Sequence, residues 1–214
     1  MKSEILIFLI AYLLGSIPFG YLIVCLTQGT DIRKQGSGNI GATNVFRKSR
    51  WAGLATLLLD GGKGYLAVLI AAWAGADPTW KAIAALGAIL GHVFSVWLRF
   101  TGGKGVATGA GSYLAVSPEA VITTLVLFSG VVLLTRYISL ASVVATGAFP
   151  FWALLYGEPA EVVLWGAAGS AVIILKHHQN IRRLVTGTEN KFDFASRSKQ
   201  AARGGIDGNQ QGTA

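Results

Sequence analysis

Acidic residues, cysteine and histidine are scarce in this chain of 214 residues. It contains 10 Asp and Glu against 18 Lys and Arg, with one cysteine and three histidines. The single cysteine, Cys25, excludes a disulfide framework and a cysteine metal site. The glycine-rich segments described below carry no paired carboxylates, which argues against a glycosidase or a metal hydrolase. We therefore expect no bound metal and no cofactor.

Charge of either sign is also rare, and this indicates a membrane protein. Only 13% of the residues are charged, against about 25% in a soluble domain, and the mean hydropathy is +0.54. Residues 5–25 lack the basic flank and cleavage site of a signal peptide, so we expect a retained helix there. The sequence predicts an all-α integral membrane bundle of seven transmembrane helices, with a range of five to seven because 106–116 is short. The apolar segments are 5–26, 54–76, 81–98, 106–116, 120–134, 138–156 and 162–175.

The basic residues fall at one end of the predicted bundle. The opposite loops hold mainly acids: Asp77, Glu119, Glu158 and Glu161. By the positive-inside rule, the basic end is cytoplasmic and the N-terminus lies outside. No basic helix is interleaved with aromatic residues, so we expect anionic lipids or substrates, and no nucleic acid, as partners. Residues 1–192 are predicted to form one transmembrane domain, and 193–214 a disordered polar cytoplasmic tail. The basic residues are Arg33, Lys34, Arg47, Lys48, Arg50, Arg99, Lys104, Arg136, Lys176, Arg182, Arg183 and Lys191.

Residues 36–44, GSGNIGATN, begin with the G-x-G-x-x-G pattern of dinucleotide-binding loops. That fold requires a strand before the loop and a helix after it, whereas a membrane span precedes this loop. Exposed backbone N–H groups of a glycine-rich turn still suit an anion. Ser37, Asn39, Thr43 and Asn44 add neutral hydrogen-bonding groups, and Arg47 adds a fixed positive charge. We interpret the segment as a phosphate-holding loop.

Two further polar segments lie at the same end. Gly102, Gly103, Lys104 and Gly105 lack the spacing of a nucleotide P-loop but offer a lysine on a flexible turn. The segment 176–184, KHHQNIRRL, places His177 and Asn180 on one helical face. Together the three segments favour a phosphorylated substrate.

Three ionisable residues fall within predicted spans. Asp60 and Lys63, three residues apart, are expected to pair with each other, unless Lys63 snorkels to the interface. His92 is either a functional residue or a hydrogen-bonded contact between helices.

Four stretches resemble the membrane-integral glycerol-3-phosphate acyltransferases that use acyl phosphate, the PlsY family. These stretches are LLGSIPFGYLI at 13–23, DIRKQGSGNIGATNVFR at 31–47, LGHVFSVWLRFTGGKGVATGAG at 90–111, and KHHQNIRRLVTGTE at 176–189. The resemblance implies acyl transfer from acyl phosphate to the 1-hydroxyl of glycerol 3-phosphate, giving lysophosphatidic acid and phosphate in phospholipid synthesis. It also implies that the protein lies in a bacterial inner membrane. A soluble enzyme that makes acyl phosphate would be a further partner.

The resemblance also assigns residues. It implies catalytic roles for His177, Ser37 and Asn180, with proton removal by His177 or by a substrate phosphate oxygen. Lys104 would hold the acyl phosphate, and Arg47 would help to hold glycerol 3-phosphate. The other implied substrate-binding residues are Gly38, Asn39, Gly41, Thr43, Asn44, Gly102, Gly103, Gly105 and Glu189.

Three alternatives remain at this point. A transporter of a phosphorylated solute would explain the bundle and the basic loops, although such a protein needs polar groups near the midplane. A scaffold that recruits the donor-synthesising enzyme can coexist with catalysis. A nucleotide-dependent phosphotransferase is weakened by the lack of carboxylates for Mg²⁺ near the glycine loops.

Overall fold

A computed structural model describes residues 2–192, and the predicted tail at 193–214 lies outside the described residues. Within the described part, every regular element is helical. Two short 3₁₀ turns occur at Ile32–Lys34 and Val96–Leu98. The α-helices are α1 (Lys2–Ser16), α2 (Phe19–Gln28), α3 (Ala42–Lys48), α4 (Arg50–Trp73), α5 (Pro78–Val93), α6 (Val106–Leu114), α7 (Pro118–Thr135), α8 (Ile138–Leu155), α9 (Ala160–Leu175) and α10 (His178–Val185).

The helices confirm the predicted class of fold, a helical membrane bundle. Five segments are long and apolar enough to cross a membrane, and a sixth is obtained if α9 and α10, bent by 59°, count as one span. Helix α6 has only nine residues, as the short apolar segment there suggested. Helix α5 lies at the centre and packs against α1, α4, α6 and α9.

The first span is broken between α1 and α2, at Ile17 and Pro18. Proline has no N–H to donate, so the regular helical hydrogen bonding is interrupted and nearby carbonyl groups need other donors. Two side chains from elsewhere in the fold donate to these carbonyls: Ser95 Oγ to Ser16 O at 2.5 Å, and Lys63 Nζ to Ile17 O at 2.6 Å. Ile17 O also accepts from Phe19 N at 3.2 Å. Buried donors of this kind make a broken helix tolerable at membrane depth.

Glycines let α4 and α6 approach closely. A Cβ on Gly111 would lie 1.9 Å from Gly61 O, and a Cβ on Gly64 would lie 2.2 Å from Thr108 O. Backbone atoms cannot move aside as a flexible side chain can, so these two positions require glycine. The contact holds α6 closely against α4.

Replacing Gly111 with alanine is expected to destabilise the bundle by about 1–3 kcal/mol, because the added methyl group overlaps the α4 backbone. Thermal unfolding in detergent measures the effect. Gly62→Ala on α4 is the matched control, since no atom lies within 4 Å of a Cβ there. Equal unfolding temperatures for the two variants would contradict the proposed close packing.

Candidate active site

A cavity of about 320 Å³ opens at one end of the bundle and collects side chains from all three predicted segments. Among the predicted residues, Gly38, Gly102 and Gly103 do not line it. Those that do are Ser37, Asn39, Gly41, Thr43, Asn44, Arg47, Lys104, Gly105, His177, Asn180 and Glu189.

The side chain of Asn44 stabilises the glycine-rich segment 36–44 through hydrogen bonds to its backbone. Its Oδ1 accepts a hydrogen bond from Ser37 N at 3.0 Å, and its Nδ2 donates to Gln35 O at 3.0 Å and Asn39 O at 2.8 Å. The side chain is buried, so its amide is committed to the turn. Asn44 therefore holds the shape of the loop that presents Ser37.

The segment is not loop throughout, since α3 begins directly after Gly41. Thr43 and Arg47 are four residues apart on this helix and both line the cavity, as the helical period requires. Within residues 2–192, Arg47 forms no ion pair, which leaves its guanidinium available to an anion.

The second segment is held against the end of α5. Gly102 N donates to Val93 O at 3.1 Å, and Gly103 N donates to His92 O at 3.0 Å. A Cβ on Gly102 would lie 2.0 Å from His92 O. The glycine at 102 thus permits close approach to α5, and the loop delivers Lys104 to the cavity.

Lys104 donates a hydrogen bond through Nζ to Asn180 Oδ1, which joins the second and third segments. Burial lowers the pKa of the Lys104 ammonium to about 8. In the described part of the chain Lys104 has no carboxylate in contact. Its positive charge is therefore available to a substrate at neutral pH and is lost as the pH rises.

Substrate binding should weaken above about pH 8, because the charged form of Lys104 exists below its pKa and disappears above it. The second pKa of a phosphate monoester is about 6, so a bound phosphate group does not titrate in this range. We expect kcat/KM to fall as the pH is raised from about 8 to about 10. Lys104→Arg, whose guanidinium stays charged, should remove this fall, and an unchanged profile would contradict the assignment.

The third segment presents a neutral imidazole. His177 Nδ1 lies 2.8 Å from Ile173 O, and because a carbonyl oxygen only accepts, Nδ1 carries the proton. Burial lowers the pKa of His177 to about 4, so the ring is uncharged near neutrality. Its Nε2 then has a free lone pair. The sharp bend between α9 and α10 brings this ring beside Asn180 in the cavity.

Glu189 ties the third segment to α8. Its Oε1 accepts hydrogen bonds from Ser139 Oγ at 2.9 Å and Asn180 Nδ2 at 2.8 Å, and its Oε2 accepts one from Arg183 Nε at 2.6 Å. Burial would raise the pKa of Glu189, but these three donors outweigh it and the pKa falls below its usual value. The carboxylate therefore orients Asn180 and Arg183.

Several cavity residues were not singled out from the sequence. Arg183 follows Asn180 by three residues on α10, and that spacing could have identified it. Ser139 and Ser142 repeat the same spacing at the start of an apolar span, which is a weaker signal. His92, which the sequence did single out as a possible functional residue, also reaches the cavity, as does Asp60. The described residues contain no group of three or more His, Cys, Asp or Glu side chains that could hold a metal ion.

An apolar cleft adjoins the polar cavity between α6, α7, α8 and α9. The two share Val106, Ala110, Leu125, Phe128 and Ser142 as walls. Deeper in the cleft, the rings of Tyr113 and Phe149 stack with centroids 4.3 Å apart. The site as a whole offers cations and hydrogen bonds at its mouth and a hydrocarbon surface behind them.

Comparison with known proteins gives consistent matches over most of the chain. The sequence profile described as glycerol-3-phosphate acyltransferase matches residues 5–187. A glycerol-3-phosphate acyltransferase of Geobacter sulfurreducens is 47% identical over 90% of this chain and 99% of its own length. One from Rubrobacter xylanophilus is 45% identical over 88% of this chain and 95% of its own.

Two solved structures share the fold. The crystal structure of PlsY, an integral membrane glycerol 3-phosphate acyltransferase, in its glycerol 3-phosphate form superposes with a TM-score of 0.85 at 40% identity, covering 89% of this chain and 96% of that one. Its lysophosphatidic acid form gives 0.83 at 38% identity with the same coverage.

Proposed function

The chain belongs to the glycerol-3-phosphate acyltransferase family, and we propose that its acyl donor is acyl phosphate. It is a membrane-integral enzyme that acylates glycerol 3-phosphate to lysophosphatidic acid. Membership of this family removes the transporter and the nucleotide phosphotransferase from the alternatives. The donor, the roles of individual residues and the side of the membrane that the site faces are our proposals.

One observation carries the donor assignment: two cations without carboxylate partners, Arg47 and Lys104, face one cavity that continues into an apolar cleft. The acceptor brings one phosphate. An acyl phosphate brings a second phosphate joined to a hydrocarbon chain. Two separate positive charges and an adjoining apolar wall match this pair of substrates better than a single cationic site would.

The cavity can be divided between the substrates by the position of its groups. Lys104 would hold the donor phosphate, with the acyl chain in the cleft next to Val106 and Phe128. Arg47 and Ser37, with Thr43 beside them, would hold glycerol 3-phosphate. Asn180, hydrogen-bonded to Lys104, would lie between the two. Asn44, Glu189 and the glycines would act by fixing the shapes of these segments.

The chemistry requires mainly positioning and charge compensation. The acceptor hydroxyl oxygen attacks the acyl carbonyl carbon and forms the ester bond. The carbon–oxygen bond to the phosphoryl group breaks, and inorganic phosphate leaves with the electron pair. The hydroxyl proton passes either to His177 Nε2 or to a phosphate oxygen. Aligning two bound substrates lowers the entropic cost, and Lys104 offsets the charge on the departing phosphate.

Product formation by the purified protein tests the donor. Labelled glycerol 3-phosphate is supplied with acyl phosphate, acyl-CoA or acyl carrier protein thioester in parallel, with EDTA present throughout. We expect labelled lysophosphatidic acid with acyl phosphate alone. Comparable product from a thioester would contradict the proposed donor while leaving the acyltransferase family unaffected.

The basic end of the bundle supports a cytoplasmic site. Arg47, Lys104 and Arg183 all line the cavity and all belong to the basic set of the positive-inside pattern. A cytoplasmic mouth would also suit delivery of acyl phosphate by a soluble enzyme. In a Cys25→Ala background, Lys48→Cys should react with an impermeant maleimide in inside-out vesicles. Reaction only in right-side-out vesicles would reverse the orientation.

A further inference from the structure

Three ionisable side chains, Asp60, Lys63 and His92, meet within the bundle between α4 and α5. Lys63 Nζ lies 2.8 Å from Asp60 Oδ1 and 3.0 Å from His92 Nδ1. All three residues are at most 4% exposed. Lys63 therefore pairs with Asp60 and does not snorkel. Burying charges costs free energy, so a purely structural contact here would be served as well by apolar residues.

Counting donors assigns the tautomer of His92. The lysine ammonium has three N–H groups and no acceptor. Three acceptors surround it: the Asp60 carboxylate, Ile17 O and His92 Nδ1. Asp60 Oδ1 is 3.6 Å from Nδ1, too far for a good hydrogen bond. His92 Nδ1 therefore accepts from Lys63, and the ring proton is on Nε2.

The Nε2 edge of His92 faces the glycine loop and the cavity. His92 lines the cavity, and a Cβ on Gly103 would lie 2.2 Å from Nε2. Within residues 2–192, no hydrogen bond is formed by Nε2, whereas Nδ1 is engaged. Glycine at 103 thus lets the loop pass directly against the Nε2 edge of His92, where the loop turns toward Lys104.

We infer that His92 Nε2–H is a further hydrogen-bond donor to a phosphoryl oxygen bound at the glycine loop, and that Lys63 and Asp60 are positioning residues that hold it in this tautomer. The inference rests on the proposed binding of a substrate phosphate beside Lys104. It gives the buried ion pair a function: Lys63 fixes which nitrogen of the ring carries hydrogen, and Asp60 compensates the charge of Lys63. A neutral donor adds binding without adding charge.

The tautomer can be measured without an activity assay. In untagged protein, His177→Asn/His178→Asn leaves His92 as the only one of the three histidines. With ¹⁵N-labelled histidine, NMR at neutral pH should detect a protonated Nε2 and an unprotonated Nδ1. Adding inorganic phosphate should shift the Nε2 resonance. A protonated Nδ1, or no response to phosphate, would overturn the inference whatever donor the enzyme uses.

The kinetics of two substitutions at His92 can distinguish a role in hydrogen-bond donation from a role in packing. His92→Gln can place an amide N–H near the Nε2 position, whereas His92→Asn reaches only the Nδ1 position. We expect kcat/KM to fall by about tenfold in the first and by about 10²-fold in the second, at similar unfolding temperatures. Equal losses in both would indicate a packing role and overturn the inference.

The positioning role has its own test. Asp60→Asn/Lys63→Met removes both charges together and so leaves no unpaired ion in the bundle. We expect the variant to fold, to show a mixture of His92 tautomers, and to lose about tenfold in kcat/KM. Retention of a single Nε2–H tautomer with unchanged kinetics would show that the ion pair does not position the ring.

Discussion

Lys104→Met is expected to lower kcat/KM by about 10²–10³-fold, the typical cost of removing one group that stabilises developing charge. Lys104 is the cation that reaches the cavity from the second loop, and it is joined to the third segment through Asn180. Methionine keeps most of the side-chain length and its packing but supplies neither charge nor donor. Steady-state kinetics with acyl phosphate and glycerol 3-phosphate measure the loss.

Lys48→Met is the matched control for this experiment. Lys48 also lies at the basic end, but its Nζ is exposed and hydrogen-bonded to Gln35 Oε1 and, at 3.3 Å, to Thr30 Oγ1. It does not line the cavity, so we expect near-normal kcat/KM. Equal losses of kcat/KM in the two variants would mean that activity depends on the overall positive charge of this end and that Lys104 has no specific role in substrate binding. A KM increase confined to acyl phosphate would support its assignment to the donor.

The sequence predicted best those features of the fold that depend on a local property, such as the length of an apolar segment. Apolar length located the membrane helices, because a spanning segment must satisfy its backbone internally. The three polar segments could be grouped because each follows or precedes a span at the same end. Residues 42–44 were less well predicted: the glycine-rich composition of 36–44 suggested a loop, whereas helix α3 begins directly after Gly41.

The contacts that shape the site were not predictable, because they join distant positions. Nothing local to Lys63 indicates that its partners include Ile17 O, 46 residues away, and His92, 29 residues away. Likewise, Gly102 looked like a phosphate-binding glycine but lies against the α5 backbone. A glycine-rich turn predicts that some other group comes close to its backbone, but the sequence does not indicate whether that group is a ligand or another part of the protein. Distances across the fold were needed to distinguish a glycine that permits anion binding from a glycine that permits close packing against a helix.

Charge distribution separates two kinds of polar residue in this protein. Glu189 and Asp60 each have cationic or hydrogen-bond-donating partners, and both act on neighbours: Glu189 orients Asn180, and Asp60 compensates Lys63. Arg47 and Lys104 have no carboxylate partner within the described residues. An active site that receives two anions should leave its cations unpaired and use its few acids for positioning, which is the arrangement found.

His177→Asn is expected to lower kcat by about 10²–10⁴-fold if this imidazole removes the proton from the acceptor hydroxyl. Asparagine can still donate to Ile173 O from the position of Nδ1, so the local fold should persist, but it has no basic nitrogen at the position of Nε2. His178→Asn is the control, because that ring is exposed, contacts Leu175 O at 3.0 Å and lies outside the cavity.

The pH dependence and the variant together decide between the two proton acceptors. Because burial lowers the pKa of His177 to about 4, its basic form is present at all pH values above that and is lost only in acid. A loss of activity near the ordinary histidine pKa of about 6.5 would therefore not be caused by this residue. If His177→Asn has near-normal kcat, the proton must go to a phosphate oxygen, and His177 serves to shape the site. A large loss in kcat with unchanged KM would assign the base to Nε2, since only the transition state would then have been affected.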